Sequence, residues 1–242
     1  SLFVDNTAYT VDAYDRDQYD VPAIMVAMDA QADIVAGTKL LVIDRVAETQ
    51  DEEGEDIYKI YGFQNGAEVT GTTVKAAELE ITGADAIEAG DVVIFSLDVE
   101  GAIDKIEVVS AVADARAIIA GADEAAAYYE ADGLVKEAFG FVYKLENGRV
   151  SLAEDFDLDP TALADAEGTN AVFRIGEGVN VYEVNVTRAN PSVSVSSAAK
   201  IKVATNYERE AHWAYVRVYD GKIVDVVVYK TVTPERPADI EA

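Results

Sequence analysis

One pattern constrains this sequence more than any other: two runs rich in β-branched and aromatic residues separated by a short, glycine-containing polar turn. The clearest copy is Trp213–Tyr219 (WAYVRVY), then Asp220-Gly221, then Ile223–Tyr229 (IVDVVVY). Extended backbone sends successive side chains to opposite faces, and glycine reaches the positive φ angles of tight turns, so such a unit folds as a hairpin. Lys39–Ala47 and Ile57–Phe63 repeat the pattern around Asp51–Asp56, and Asp91–Leu97 and Ile103–Val109 repeat it around Asp98–Gly101. Phe139–Leu145 and Arg149–Leu152 do so around Glu146-Asn147-Gly148, and Val181–Val186 alternates cleanly as a further strand.

Helical signals are sparse. Ala111–Tyr129 is alanine-rich but interrupted by Gly121, and Ala113–Ile119 reads equally well as a strand. Thr161–Glu167, following Pro160, has room for one or two helical turns. The expected fold is therefore mostly β: two related small β-domains, barrel- or sandwich-like, with short helical insertions.

The two-domain expectation rests on an internal repeat. Val92–Val109 and Ala214–Tyr229 share a strand, an acidic-glycine turn and a second strand, with Asp104 and Asp225 aligned. The expected organisation is an N-terminal strand segment at 1–36, a first β-domain at 36–111, a connection at 112–132, a second β-domain at 133–230 and a tail at 231–242.

Composition narrows the chemistry. The 242 residues carry 46 acidic against 19 basic side chains, a net charge of -27. Half the residues are hydrophobic, so a real core is available and disorder is not implied. A chain this acidic lacks the basic face that nucleic acid requires, and no apolar run approaches a bilayer span. Zero cysteine removes disulfides, thiol nucleophiles and thiolate metal sites, and a single histidine, His212, removes most imidazole-based zinc sites and triads. No phosphate loop, dinucleotide fingerprint or nucleophile elbow is present, so catalysis is not expected. The acids concentrate in turns and on alternating strand positions, which reads as a solvated surface.

The strings GDVVIFSLDVEGAIDKIEVV, IYKIYGFQNGAEV and WAYVRVYDGKIVDVVVYK resemble the β-rich region downstream of S-layer homology domains in S-layer-like surface proteins of Gram-positive, clostridial-type bacteria. The resemblance covers most of residues 20–230 and lies in strand patterns rather than a catalytic signature. It implies an exported structural protein at the bacterial cell surface, a homo-oligomer or homopolymer in a lattice or filament, with a cell-wall polymer bound through another region. Starting at Ser1, without methionine, the chain is expected to have been trimmed. A cell-surface adhesin or glycan-binding module, using Trp213 and surface tyrosines, is the alternative.

Two sets of residues stand out. Leu2, Phe3, Val4, Ala8, Tyr9 and Val11 are β-prone, lie outside both repeats without an obvious local partner, and are candidates for strand exchange between subunits. Asp155, Asp157 and Asp159 space carboxylates two apart, as Ca²⁺ loops do. Pro160 and Ala166 break the EF-hand pattern, and a solvated acidic loop explains the same residues. Ca²⁺ is the one candidate cofactor. His212 beside Trp213 is expected as a surface or strand-end histidine, and the strand tyrosines as core or sheet packing.

Overall fold

The computed structural model describes residues 9–16, 22–29, 40–119, 127–132, 135–154, 161–175, 178–186, 190–203, 212–219 and 222–230, the first two segments as backbone alone. The strands are β1 (Tyr9–Arg16), β2 (Pro22–Asp29), β3 (Leu40–Gln50), β4 (Asp56–Gln64), β5 (Ala67–Lys75), β6 (Glu80–Thr82), β7 (Val92–Leu97) and β8 (Ile103–Ser110). Helix α1 (Val112–Ile119) follows, then β9 (Tyr128–Asp132), β10 (Val135–Glu146), β11 (Arg149–Ala153) and β12 (Val172–Arg174). The remaining strands are β13 (Asn180–Asn185), β14 (Ser192–Ser196), β15 (His212–Tyr219) and β16 (Lys222–Lys230). The chain is mostly β, as its alternation requires.

The first large sheet runs β5-β4-β3-β7-β8-β6 and closes on itself through a parallel contact between β5 and β8 at Thr73 and Ile103, forming a small barrel. The second runs β12-β11-β10-β15-β16-β13-β14, with β9 added to β10. Phe141 pairs with Ala153 of β11 and with Trp213 of β15, so β11 and β15 flank opposite edges of β10. The β13–β16 pairing is parallel.

Topology repeats between the sheets. In each, a long strand pairs with its hairpin partner beyond a bulge (β3–β4, β10–β11) and with the first strand of a later hairpin (β7–β8, β15–β16). Both later hairpins are bulged near the turn, but the skipped residues are Asp104 and Val224. Asp225 therefore occupies the ladder position of Lys105, and the alignment of Asp104 with Asp225 is off by one. A one-residue shorter turn in the second hairpin moves the register of its return strand.

Period-two alternation explains how two sheets become one body. Along β3, Leu41 and Ile43 point into the barrel with Ile60, Val93, Ile103 and Ile106, while Leu40 and Val42 point the other way. They enter a second core with Phe139, Phe141, Trp213, Tyr215, Tyr182, Val227 and Tyr229 from the other sheet. On its far face that sheet buries Ala214, Val216, Val226 and Val228 against Leu152, Leu163, Phe173 and Ile201. Strands β15 and β16 are thus covered on both sides, which accounts for their nearly unbroken apolar sequence. Hydrogen bonds stitch the shared core: Gly66 N donates to Tyr182 Oη at 3.0 Å and Val193 N to Asp44 Oδ1 at 3.1 Å. Tyr128 Oη donates to the Val109 carbonyl at 3.0 Å, and the hydroxyls of Ser110 and Tyr229 meet at 2.9 Å.

Helix α1 settles the ambiguous alanine-rich stretch. Asp91, buried at the head of β7, accepts from Val112 N at 2.8 Å and Glu88 N at 2.7 Å, so its carboxylate holds the start of the helix. Burial raises the proton affinity of that carboxyl, against the two backbone donors. Thr161–Glu167 is not helical. It forms bridges at Ala162 and Ala164 and then a turn, because Asp165 Oδ1 captures Glu167 N and Thr169 N.

That turn occurs three times among the described residues. Asp51, Asp98 and Asp165 each accept from the backbone N–H groups two and four residues on, at 2.8–3.0 Å. The third residue after each is Gly54, Gly101 or Gly168, with φ of +86°, +87° and +81°. An Asp-x-x-Gly-x loop uses its carboxylate as internal scaffolding, so part of the acidity in these turns is structural.

Candidate functional site

Among the described residues, the most unusual chemistry lies in one row across the second sheet. Glu130, Glu137, Arg217, Asp225 and Asn180 are successive ladder partners on β9, β10, β15, β16 and β13. Alternation places Glu137, Arg217, Asp225 and Asn180 on the same face as Phe139, Tyr215, Val227 and Tyr182, the face of the shared core. Arg217 is 6% exposed and Asp225 3%. Carboxylates on alternating strand positions were expected in solvent, and Asp225 is the exception, because β16 is covered on both faces.

The electrostatics follow from that burial. Arg217 Nη1 approaches Glu137 Oε1 at 3.2 Å, and Asn180 Nδ2 donates to Asp225 Oδ1 at 3.4 Å. Nevertheless Arg217 Nε and Nη1 and the Tyr215 hydroxyl lack aligned hydrogen-bond partners. Loss of water raises the Glu137 carboxyl, opposed by the Arg217 charge. The same desolvation pushes Asp225 up to about 6, against the Asn180 bond and Arg217. Burial also raises the Tyr215 hydroxyl well above its ordinary value, and that of Tyr182 to about 12. Chemically, the row holds one cation between two carboxylates that bind protons more readily than in water.

Its structural consequence is register. A one-residue slip of β15 would turn Arg217 into the apolar face packed by Val216 and Val218, leaving its charge unpaired. The described clefts are lined by other residues, at Lys144–Arg174, Glu48–Ala76 and Asp44–Thr70.

The residues singled out from sequence are dispersed. Leu2, Phe3, Val4 and Ala8 lie outside the described residues, as do Asp155, Asp157 and Asp159. Tyr9 and Val11 belong to β1, where their ladder partners are Asp29 and Ala27 of β2. The segment thus has a local partner that its sequence did not advertise: Val21–Met28 reads as a plain apolar run, and the pairing depends on the chain reversing between the strands. The resulting two-stranded ribbon shares no ladder with either large sheet among the described residues. No group of three or more His, Asp or Glu side chains is placed to hold a metal among them.

His212 is strand-terminal as expected but not at the surface. It is 2% exposed, and its Nδ1 accepts from Lys202 N at 2.9 Å, which fixes that nitrogen as unprotonated. Trp213 is 8% exposed and stacks on Phe139 at 5.7 Å between ring centroids, so it is a core residue rather than a sugar platform. Tyr182, Tyr215 and Tyr229 are buried with it. Tyr61 is half-buried, with the Arg45 guanidinium 4.0 Å above its ring. The signal for the Arg217 row was present in the sequence as a lone arginine and a lone aspartate inside two long, largely apolar strands.

No protein-family model matches this chain, and neither does any curated protein or solved structure. No helix among the described residues is long and apolar enough to cross a membrane.

Proposed function

We propose that this chain is a structural subunit of an extracellular bacterial assembly, a lattice or filament held by contacts between β-domains and by strand exchange through the N-terminal segment. The observation that carries the reading is the β1–β2 ribbon, whose backbone joins neither large sheet among the described residues. A lone two-stranded hairpin is marginal in water, and its outer edges are unpaired rows of N–H and C=O groups that a neighbouring chain can extend. In β2, Ala23 through Met28 is apolar at every position, so both faces of that strand favour burial. The sequence resemblance to S-layer-like proteins supports the cell-surface location. Asp155, Asp157 and Asp159 are the residues that would bring Ca²⁺ to a contact. The reading assigns the protein no catalysis.

Electron microscopy and sedimentation of the purified chain, with and without millimolar Ca²⁺, test this. Ordered polymers are expected, and proline at Tyr9 and Val11 should reduce them by removing ladder donors. Chelator or low ionic strength should weaken assembly by leaving like charges unscreened. Monodisperse monomers under every condition would overturn the reading.

A further inference from the structure

Beyond the end of the shared core, the face of β10, β11 and β12 that carries Ala153 bears the opposite charge to most of the chain. Two ladder rows cross it, Lys144–Ser151–Val172 and Glu146–Arg149–Arg174. Arg149 and Arg174 are direct cross-strand partners, an arrangement that costs stability through like-charge repulsion. Both are exposed, and neither has an ion pair or hydrogen bond with a described residue. Glu146, the nearest carboxylate in the ladder, is held instead by Lys144 at 2.9 Å. Around these side chains lies an open cleft of about 480 Å³, with Ser151 at its floor and Val172, 42% exposed, at its rim. Strand β12 ends the sheet. In a protein of net charge -27, two adjacent arginines without a counter-charge among the described residues are a place where an incoming carboxylate removes a penalty as well as adding a bond.

We propose that this cleft receives the acidic hairpin tip Asp51–Asp56 of a second copy of the chain. The proposal rests on the subunit reading above and names one of its contacts. Asp51 fixes the backbone of that tip through its two bonds to Glu53 N and Glu55 N, both 2.9 Å. Glu52, Glu53 and Glu55 therefore stand exposed on a rigid turn, which lowers the ordering entropy of binding. Their only described cation is Lys75, at 3.8 Å from Glu53 and 3.9 Å from Glu55, partly exposed and loosely paired. The other two Asp-x-x-Gly tips present one glutamate each, Glu100 and Glu167, so charge density singles out the first. Donor tip and acceptor cleft are different surfaces of one chain. The contact is heterologous, and it propagates as an open filament unless its rotation closes a ring.

Sedimentation at fixed ionic strength decides it, with four proteins: the wild type, Arg149→Glu/Arg174→Glu, Glu52→Arg/Glu53→Arg, and the combination of all four changes. Each reversal should weaken self-association at least about tenfold, and the combined charge swap should restore it. All four substituted side chains are exposed, and circular dichroism verifies that each variant is folded. Undiminished association of either reversed protein overturns this contact while leaving the subunit reading intact. Failure of the swap to recover association also overturns it. Saturable binding of free citrate to a wild type that remains monomeric would overturn both, making the cleft a small-anion site.

Discussion

Arg217 and Asp225 face each other across the β15–β16 ladder, both buried, with Glu137 on the other side of the arginine. One cation lies between two carboxylates in the middle of a sheet whose neighbouring rows are aromatic and aliphatic. Removing charges from water is costly, and Arg217 offsets only part of that cost at each carboxylate.

The first consequence concerns pH. The Asp225 carboxyl titrates near 6 in the folded chain against 3.8 as an ordinary aspartate. Between those values the folded state holds a proton that the unfolded state has released, so this group's contribution falls as pH rises. It is fully present below about pH 4 and lost above about pH 6. Asp225→Asn should therefore gain stability relative to the wild type as pH rises, by about 3 kcal/mol over the full titration and about 2 kcal/mol between pH 4.5 and 7.5. Urea midpoints at pH 4.5 and 7.5 measure it; a difference between the two proteins that does not change with pH would refute the linkage.

The second concerns the cation. Arg217→Met leaves Glu137 and Asp225 without their shared charge, and should destabilise the fold by about 3–5 kcal/mol at pH 7.5. Adding Glu137→Gln and Asp225→Asn to that variant should recover much of the loss. No recovery would mean that arginine packing, not charge, is what the site requires.

The third concerns the shared core. Because Leu40, Val42 and Val92 of the barrel pack with Phe139, Trp213 and Tyr229 of the other sheet, the two should unfold together. Fluorescence of Trp213, the sole tryptophan, and far-ultraviolet circular dichroism should then trace one transition. Tyr229→Phe removes the hydroxyl contact to Ser110 and should cost about 1 kcal/mol, non-additively with Ser110→Ala. Separated fluorescence and dichroism midpoints would show that the sheets melt independently.

The fourth concerns the turns. Asp98→Ala frees Glu100 N and Ala102 N at an exposed loop and should lower stability by about 1 kcal/mol. Gly101→Ala should cost a similar amount through its φ of +87°, with no contact to blame since nothing lies near its missing Cβ. Equal urea midpoints for these variants and the wild type would remove the turn from the structural account.

Much of the fold was legible because hairpins are local. The pairings β3–β4, β7–β8, β10–β11 and β15–β16 each join neighbouring runs across a turn whose glycine or asparagine the sequence displays, as at Asn147-Gly148 with φ of 53° and 70°. Short strands such as β9 and β12 carry no period long enough to read, and the parallel β13–β16 ladder joins residues 45 apart, Asn180 and Asp225. Thr161–Glu167 has room in sequence for one or two helical turns because its Pro160 start resembles a helix entry, although Asp165 and Gly168 repeat the turn pattern of Asp51 and Asp98.

The acidic surplus of the chain shows the same division. By itself the sequence determined that this protein is mostly β, that its hairpins turn at acidic glycine loops, and that its carboxylates are divided between turns and alternating strand positions. Alternation and turn chemistry act over a few residues and need nothing else. Only the tertiary structure decided that Asp225 is buried beside Arg217, that His212 is enclosed, and that Arg149 and Arg174 share a row. Ladder partners come from distant parts of the chain, selected by which faces can be buried together, and no local period records that choice.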